Sequence, residues 1–413
     1  MKPYDHQLEL ANEGYDILKE HMIVYLATEE RTGKTLASIL IAEMCDNIKS
    51  VLVLTKLGKN RKVIKGWKDT LKAFPHDKKY TVVNYHQMYK VSRHDLLILD
   101  EAHNYISGCP DQPAMHKHIQ QWLSPQVPII YLSATPHAQG YQMLYHQFSL
   151  STWSPWRRYK NFRQWFSHYG IPTDIYVNQK RRAIYTNTHE DLVLPDINHL
   201  FITRTRKELG FPHEPIDKLH YIELDQSTKE IYNELIKDKV YEWGENALVC
   251  DVPIKLRSSL HMLEGGVAKT HVSAVKTNGE AYLKPVFHIF NNTEKIDYIM
   301  STWGDTEDLV IYYQYIAEGA KLRYYFKKAH VLQGTSNAEG IDLAHVETII
   351  VYSQDFSTAR HSQRRARQAA KHRDKPITVH FLLVKEAVSA QVYKTVSINK
   401  QNFVDSVFER KLL

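Results

Sequence analysis

The chain has 413 residues, of which 43% are hydrophobic and 24% charged, and its formal net charge is +7. That length and apolar content suffice for two packed domains with real cores, and the positive balance is compatible with a polyanionic partner without demanding one. Cys45, Cys109 and Cys250 are scattered and odd in number, which excludes a disulfide framework and a thiolate metal site and points to a reducing compartment; the N-terminus is polar, and no apolar run approaches the ~20 residues of a membrane span.

In chain order, Tyr4-Asp5-His6-Gln7 opens a helical run from Leu8 to Leu18. Gln7 is either a polar helix start or a group that reads an adenine edge through paired hydrogen bonds. Met22 to Ala27 suits a buried strand, and Leu36 to Ala42 has helical spacing. Between them lies Glu29-Glu30-Arg31-Thr32-Gly33-Lys34-Thr35, so Gly33-Lys34-Thr35 falls where a strand turns into a helix. A phosphate-binding loop of the Walker A type requires that context. The helix start offers free N–H groups and a positive dipole end to an anion. Lys34 would neutralise phosphate charge, Thr35 would offer a hydroxyl to Mg²⁺, and Gly33 lets backbone approach the phosphates. Arg31 stands where related loops often carry glycine, so the loop by itself leaves a solvated turn open.

Three further strands follow: Ser50 to Lys56, Tyr80 to Tyr85, and Leu96 to Leu99. A helix from Asn60 to Phe74, with Trp67 on its apolar side, separates the first two. Leu96 to Leu99 runs into Asp100-Glu101-Ala102-His103, and Ile129 to Leu132 runs into Ser133-Ala134-Thr135-Pro136. Apolar strands alternating with helices predict a parallel sheet covered on both faces, with the polar clusters at the carboxyl ends where ligands bind. Asp100 would hold Mg²⁺. Glu101 would orient or deprotonate a water attacking a γ-phosphate. The 23 histidines, His116-x-His118 included, lack a companion ligand set and read as surface or packing residues.

These motifs, in this order and spacing, resemble motifs I, II (a DEAH box) and III of superfamily two helicases. The closest likeness is to the Swi/Snf-type ATPases that move along double-stranded DNA. Val51 to Phe74, with Lys56 and Trp67, is similar to that group's motif Ia, and Val82 to Met88 to its next strand. Phe201 to Leu209 resembles its arginine-rich crossing between motor domains, and Tyr221 to Leu235 the strand and helix beyond it. The compact size and the form of the loop look like bacteriophage versions. The resemblance implies a RecA-like α/β fold of two parallel-sheet lobes with ATP and Mg²⁺ between them.

From Ser149 to Asp196 aromatic residues (Trp153, Trp156, Phe162, Trp165, Phe166, Tyr169) crowd among Arg157, Arg158, Lys160 and Arg163, and Lys180-Arg181-Arg182 follows. They line a nucleic-acid groove, or the aromatics form a small core under a solvated basic face. Val252 to Ala268 reads as helix, and Thr270 to Ile289 as a β-hairpin turning at Asn278-Gly279. A helix from Glu294 to Trp303 leads to Asp308 to Gln314, similar to motif IV, and His330 to Leu343 resembles motif V. In motif V, Gly340 permits a turn and Asp342 would reach a ribose hydroxyl. Thr348 to Tyr352 is a buried strand, Gln363-Arg364-Arg365-Ala366-Arg367 matches motif VI, and Pro376 to Val384 resembles the closing strand.

The chain departs from that family twice. Ala370 stands where a second motif VI arginine is expected, leaving Arg367 as the arginine finger. The interval from Gln314 to Gly334 is too short for the usual two strand–helix units, so the second lobe should be reduced.

The resulting expectation is a cytoplasmic, monomeric superfamily two motor that hydrolyses ATP and moves along or remodels DNA, in a bacterial host if the chain is viral. Its domains are 1–150 (first lobe), 151–290 (basic helical insertion, crossing and hairpin) and 291–413 (second lobe). Gln7, Arg31, Thr32, Gly33, Lys34, Thr35, Gly340 and Asp342 would bind nucleotide, with Thr35 and Asp100 on the metal. Lys34, Glu101, Arg367, Gln363 and Arg364 would serve catalysis, and Lys56, Asn84, Gln314 and Thr335 would touch nucleic acid. The rivals are a nucleotide-gated nucleic-acid- or protein-binding module with little turnover, and an RNA-dependent ATPase.

Overall fold

A computed structural model describes residues 2–57, 61–137, 140–177, 180–277, 280–334, 343, 346–366, 369, 371, 373 and 375–399. The chain divides into two compact units, Met1–Pro212 and His213–Leu413, so the span 151–290 is shared between them.

The first unit is built on a six-stranded sheet in the order β3-β2-β4-β5-β1-β8. Its strands are β1 (Ile23–Leu26), β2 (Ser50–Thr55), β3 (Lys79–Asn84), β4 (Leu96–Asp100), β5 (Ile129–Leu132) and the short β8 (Phe201–Ile202). Every pairing is parallel, with Ile23 beside Ile129, Leu97 beside Ile129 and Val51 beside Leu96. The central strands are continuous apolar runs because both faces are covered. On one face α1 (Asp5–His21), α2 (Lys34–Met44) and α3 (Lys62–Ala73) enclose a core with Leu10, Ala37, Ile39, Val53 and Trp67. The other face packs on α4 (Ala114–Trp122), α5 (Leu144–Phe148), α6 (Phe162–Tyr169) and α7 (Glu190–Ile197).

That second core decides the aromatic cluster. Trp156, Phe162, Trp165, Phe166 and Tyr169 are all buried, packed edge-to-face and tilted with Phe148 and Tyr145. Only Trp153 of the six is exposed, at 45%. The five buried aromatics form a core, and Trp156 and Phe162 at its edge also line a cavity. A two-stranded ribbon, β6 (Thr173–Val177) and β7 (Lys180–Ile184), follows. The side chains of Lys180-Arg181-Arg182 lie outside the described residues.

The second unit carries a five-stranded parallel sheet in the order β15-β14-β16-β17-β9. Its strands are β9 (Pro215–Ile222), β14 (Leu309–Tyr313), β15 (His330–Gln333), β16 (Thr348–Val351) and β17 (Ile377–Val384). It is one strand smaller than the first, in line with a reduced lobe. Helices α8 (Gln226–Asp238), α9 (Pro253–Leu263), α10 (Glu294–Thr302) and α11 (Ile316–Tyr325) accompany it, with ribbons β10 (Val240–Trp243) to β11 (Asn246–Val249) and β12 (Val267–Val275) to β13 (Ala281–Ile289). The β12–β13 ribbon is the expected hairpin, although its tip, Asn278-Gly279, is outside the described residues. The preceding helix is shorter than expected. It stops at Leu263, because Gly266 takes a left-handed φ of +71° and turns Val267 into a strand.

Candidate active site

The loop after β1 ends on Gly33, whose φ of +86° lies in the left-handed region, and α2 begins at Lys34. A Cβ at Gly33 would fall 1.9 Å from Nε2 of Gln7, so the first turn of α1 rests directly on the loop. Gln7 is buried, and its Oε1 accepts from Tyr4 N at 3.0 Å. His6 Nε2 donates to the Thr32 carbonyl at 3.1 Å. The Thr32 hydroxyl donates to the Glu29 carbonyl at 2.8 Å and so must accept from Thr28 Oγ1, 2.6 Å away. Arg31 has a positive φ of 65°, which explains why related loops carry glycine there.

Lys34 Nζ donates to the carbonyls of Thr28 at 2.6 Å and Glu29 at 2.7 Å. Burial lowers its pKa, opposed by the negative charges of Glu30, Glu101 and Asp100. An ammonium has three protons, so two carbonyls leave one direction for a further acceptor. Thr35 is half-buried in the first turn of α2, where its carbonyl accepts from the Ser38 hydroxyl at 2.9 Å.

Asp100 closes β4, and its Oδ2 is held by Thr55 Oγ1 at 2.7 Å and Trp67 Nε1 at 2.9 Å. Both donors bind one oxygen, which leaves Oδ1 for a ligand. A carboxylate oxygen and a hydroxyl are hard donors of the kind Mg²⁺ selects, so Asp100 and Thr35 fit that ion. Glu101 sits at a strained φ of 54°, with its N–H bonded to the Leu132 carbonyl at 2.8 Å. Its carboxyl is pushed up to about 7, first by burial and then by Asp100, against the pull of Lys56 and Lys34. Ser133, from the loop after β5, lies 2.9 Å from His103 Nδ1 and 3.4 Å from Glu101 Oε2. Burial, aided by Lys56, drops His103 to about 4, so it is neutral at physiological pH and the 3.4 Å approach to Glu101 is no ion pair.

Three contributors were not legible as site residues. Thr55 and Trp67 orient Asp100 from elements 45 and 33 positions away, and their spacing carries no signal. Arg206, in the segment expected to cross between lobes, is buried against the loop instead. Its backbone N–H donates to Glu29 Oε2 at 2.8 Å, and its guanidinium meets Glu29 at 3.6 Å and Glu30 at 3.5 Å. The acidic pair in the loop is the signal, since two neighbouring carboxylates need a cation.

Asn84, at the end of β3, is buried and donates to Gln87 at 2.7 Å, while Lys56 follows β2. In the second unit the backbone N–H of Gln314 donates to Ser353 at 2.8 Å and Glu318 at 3.1 Å. Arg364, on the helix Thr358–Arg365, is enclosed within its own unit. It stacks over Tyr312 at 5.6 Å, none of its guanidinium nitrogens has a hydrogen-bond partner among the described residues, and burial lowers its pKa. Gln363 is on the same helix with its side chain outside the described residues, as are Thr335, Gly340, Asp342, Arg367 and Ala370 entirely.

Among solved structures the chain is similar to the SWI2/SNF2 ATPase core of Sulfolobus solfataricus in complex with dsDNA. The identity is 15% over 99% of this chain and 94% of that chain, with a TM-score of 0.42. The SWI2/SNF2 ATPase core domain from the same organism matches at 14% identity over 97% and 90% of the two chains, also with a TM-score of 0.42. No family model and no curated protein matches. Likeness of this degree carries no activity by itself.

Proposed function

We propose that the chain is an ATP-driven motor that moves along or remodels DNA, with duplex favoured, as a cytoplasmic monomer. The observation that carries this reading is Glu101: a carboxyl with a pKa near 7, next in sequence to a carboxylate with one oxygen left for a ligand, on the strand beside the phosphate loop's strand neighbour β5. A base poised near the working pH is what water activation needs.

Asp100 and Thr35 would hold Mg²⁺, which when bound would supply Lewis-acid neutralisation of phosphate charge. Lys34 would direct its third proton at a phosphate oxygen, with Arg31, Thr32 and Gly33 shaping the loop and Gln7 facing the base. Glu101 would take the proton of the attacking water, and Ser133 would hold that carboxylate in place. Arg367 and Gln363 would add charge stabilisation from the second unit, with Gly340 and Asp342 toward the ribose. Lys56, Asn84, Gln314 and Thr335 would meet nucleic acid.

The enclosed, unpaired Arg364 favours a second reading, a nucleotide-gated binder with little turnover. ATP hydrolysis measured alone and with duplex DNA, single-stranded DNA or RNA, with Glu101→Gln as control, separates them. Strong stimulation by duplex that the variant abolishes supports the motor. Tight binding of ATP and DNA with no turnover supports the binder, and stimulation by RNA alone moves the substrate class.

A further inference from the structure

A cavity of about 870 Å³ opens in the first unit between the start of α4, α5 and the turns leading into α6, lined by residues outside the candidate active site. That volume lies within the range of small-ligand sites. Its floor is buried and uncharged. His116 Nδ1 accepts from Gln112 Nε2 at 2.6 Å, so its Nε2 carries the proton and donates to Ser149 Oγ at 3.0 Å. Burial, and then the neighbouring His146, holds His116 at about 4; burial lowers His146 too. Tyr145 and Phe162 add apolar wall.

The rim is the opposite. Arg157, Lys160 and Arg163 all line the opening, are exposed, and make no ion pair among the described residues. Asp111 is the one carboxylate among the described lining residues. Beside the rim, between the lining residues Thr152 and Ser154, stands Trp153, the exposed aromatic of an otherwise buried cluster.

We propose that this cavity is a second nucleic-acid site, separate from the motor surface, which takes a single strand. The charge pattern selects the ligand. A small phosphorylated molecule needs its anion gripped inside the recess, and here the recess is neutral with its polar atoms bonded to one another. A single strand fits both zones, because its phosphates run over the three rim cations while an unstacked base enters the recess and another lies on Trp153. A duplex keeps its bases stacked inside and offers only phosphates to such a hollow.

The test is fluorescence anisotropy of a labelled oligothymidine on the full chain without nucleotide, against salt. Lys34→Ala should bind as the parent does, which separates this site from failure of the ATPase reading. The triple variant Arg157→Gln, Lys160→Gln, Arg163→Gln should lose at least tenfold in affinity. It should also lose about two units from the slope of log K against log salt, since each neutralised phosphate of a single strand contributes ~0.7. Trp153→Ala should weaken binding about tenfold with the slope unchanged. All four positions are exposed, and circular dichroism checks the fold. Unchanged oligothymidine affinity and slope in the triple variant overturn the proposal. So does competition by pyrophosphate or ADP at concentrations equal to the oligonucleotide, which reassigns the cavity to a small phosphorylated ligand.

Discussion

Glu101 carries opposing demands in one side chain. Burial and Asp100 raise its pKa from the ordinary 4.5 to about 7, with Lys56 and Lys34 pulling it down and Glu30 adding to the rise. The folded protein therefore binds a proton that the unfolded chain has released between those values. Stability contributed by this group is full below pH 4.5 and falls as the pH climbs toward 7. On the proposed role of Glu101 as base, activity would have the opposite sign, because a base works only when ionised, so hydrolysis should rise through pH 7 and level off above it. Glu101→Gln is expected to abolish turnover and to raise the melting temperature at pH 8 relative to the parent, with the gap closing toward pH 4; calorimetry across that range reads it. Arg364 makes a similar case without the titration. Its guanidinium is buried with no hydrogen-bond partner among the described residues, and Tyr312 beneath it and the Asp355 charge offset part of the desolvation. Replacement of a poorly compensated buried charge by an apolar side chain of similar length is often stabilising. Arg364→Met should gain about 1–3 kcal/mol in urea unfolding, and a simultaneous fall in hydrolysis would show that the charge is kept for turnover.

Helix α1 links the start of the chain to the phosphate loop. Its first turn supplies Gln7 and His6 to the loop, and Gly14 lets it lie against α2, where a Cβ would come within 2.5 Å of Ile41 Cδ1. Ile41 is fully buried, so it has little room to give. Gly14→Val should cost about 1–3 kcal/mol by overpacking and should lift Gln7 off Gly33, weakening ATP binding in titration calorimetry more than Gly14→Ala does. The elements around this loop were legible because parallel strands buried on both faces are uninterrupted apolar runs, each ending in a polar cluster. Ser50–Thr55, Leu96–Asp100 and Ile129–Leu132 are found within a residue or two of expectation. The two-stranded ribbons Thr173–Val177 with Lys180–Ile184 and Val240–Trp243 with Asn246–Val249 were not, since strands of four or five residues are too short to give a period to read. Helix α11 escaped for another reason. Ile316–Tyr325 buries a glutamate and a lysine, Glu318 and Lys321, where a periodic apolar face is expected. As candidates for the site, Lys34, Thr35, Asp100 and Glu101 could be proposed from spacing within single loops. Thr55, Trp67 and Arg206 were not, because they join the site only through tertiary contact across the sheet.

Each unit of the chain has its own parallel sheet and its own cores. Leu10, Val24, Ile98 and Trp67 belong to the first, and Ile311, Leu322, Ile350 and Leu382 to the second. The phosphate loop, its supporting Gln7, His6 and Arg206, and the pair Asp100 and Glu101 all fall before Pro212. The arginines of the Gln363 to Arg367 segment fall in the second unit. On the proposed reading, binding and turnover would fall to different parts of the chain: the first unit would hold the nucleotide, and the second would supply charge stabilisation for the transferred phosphoryl group. A fragment of residues 1–212 is therefore expected to unfold cooperatively and to bind ATP with Mg²⁺ in titration calorimetry. Its hydrolysis should fall by roughly 10³-fold, the magnitude a single arginine supplied from outside the phosphate loop contributes. Arg367→Ala in the full chain should match the fragment in turnover while retaining duplex DNA binding. If the fragment hydrolyses ATP as fast as the full chain, the second unit has no catalytic part. The motor reading would then reduce to a one-unit nucleotidase carrying a nucleic-acid-binding partner domain.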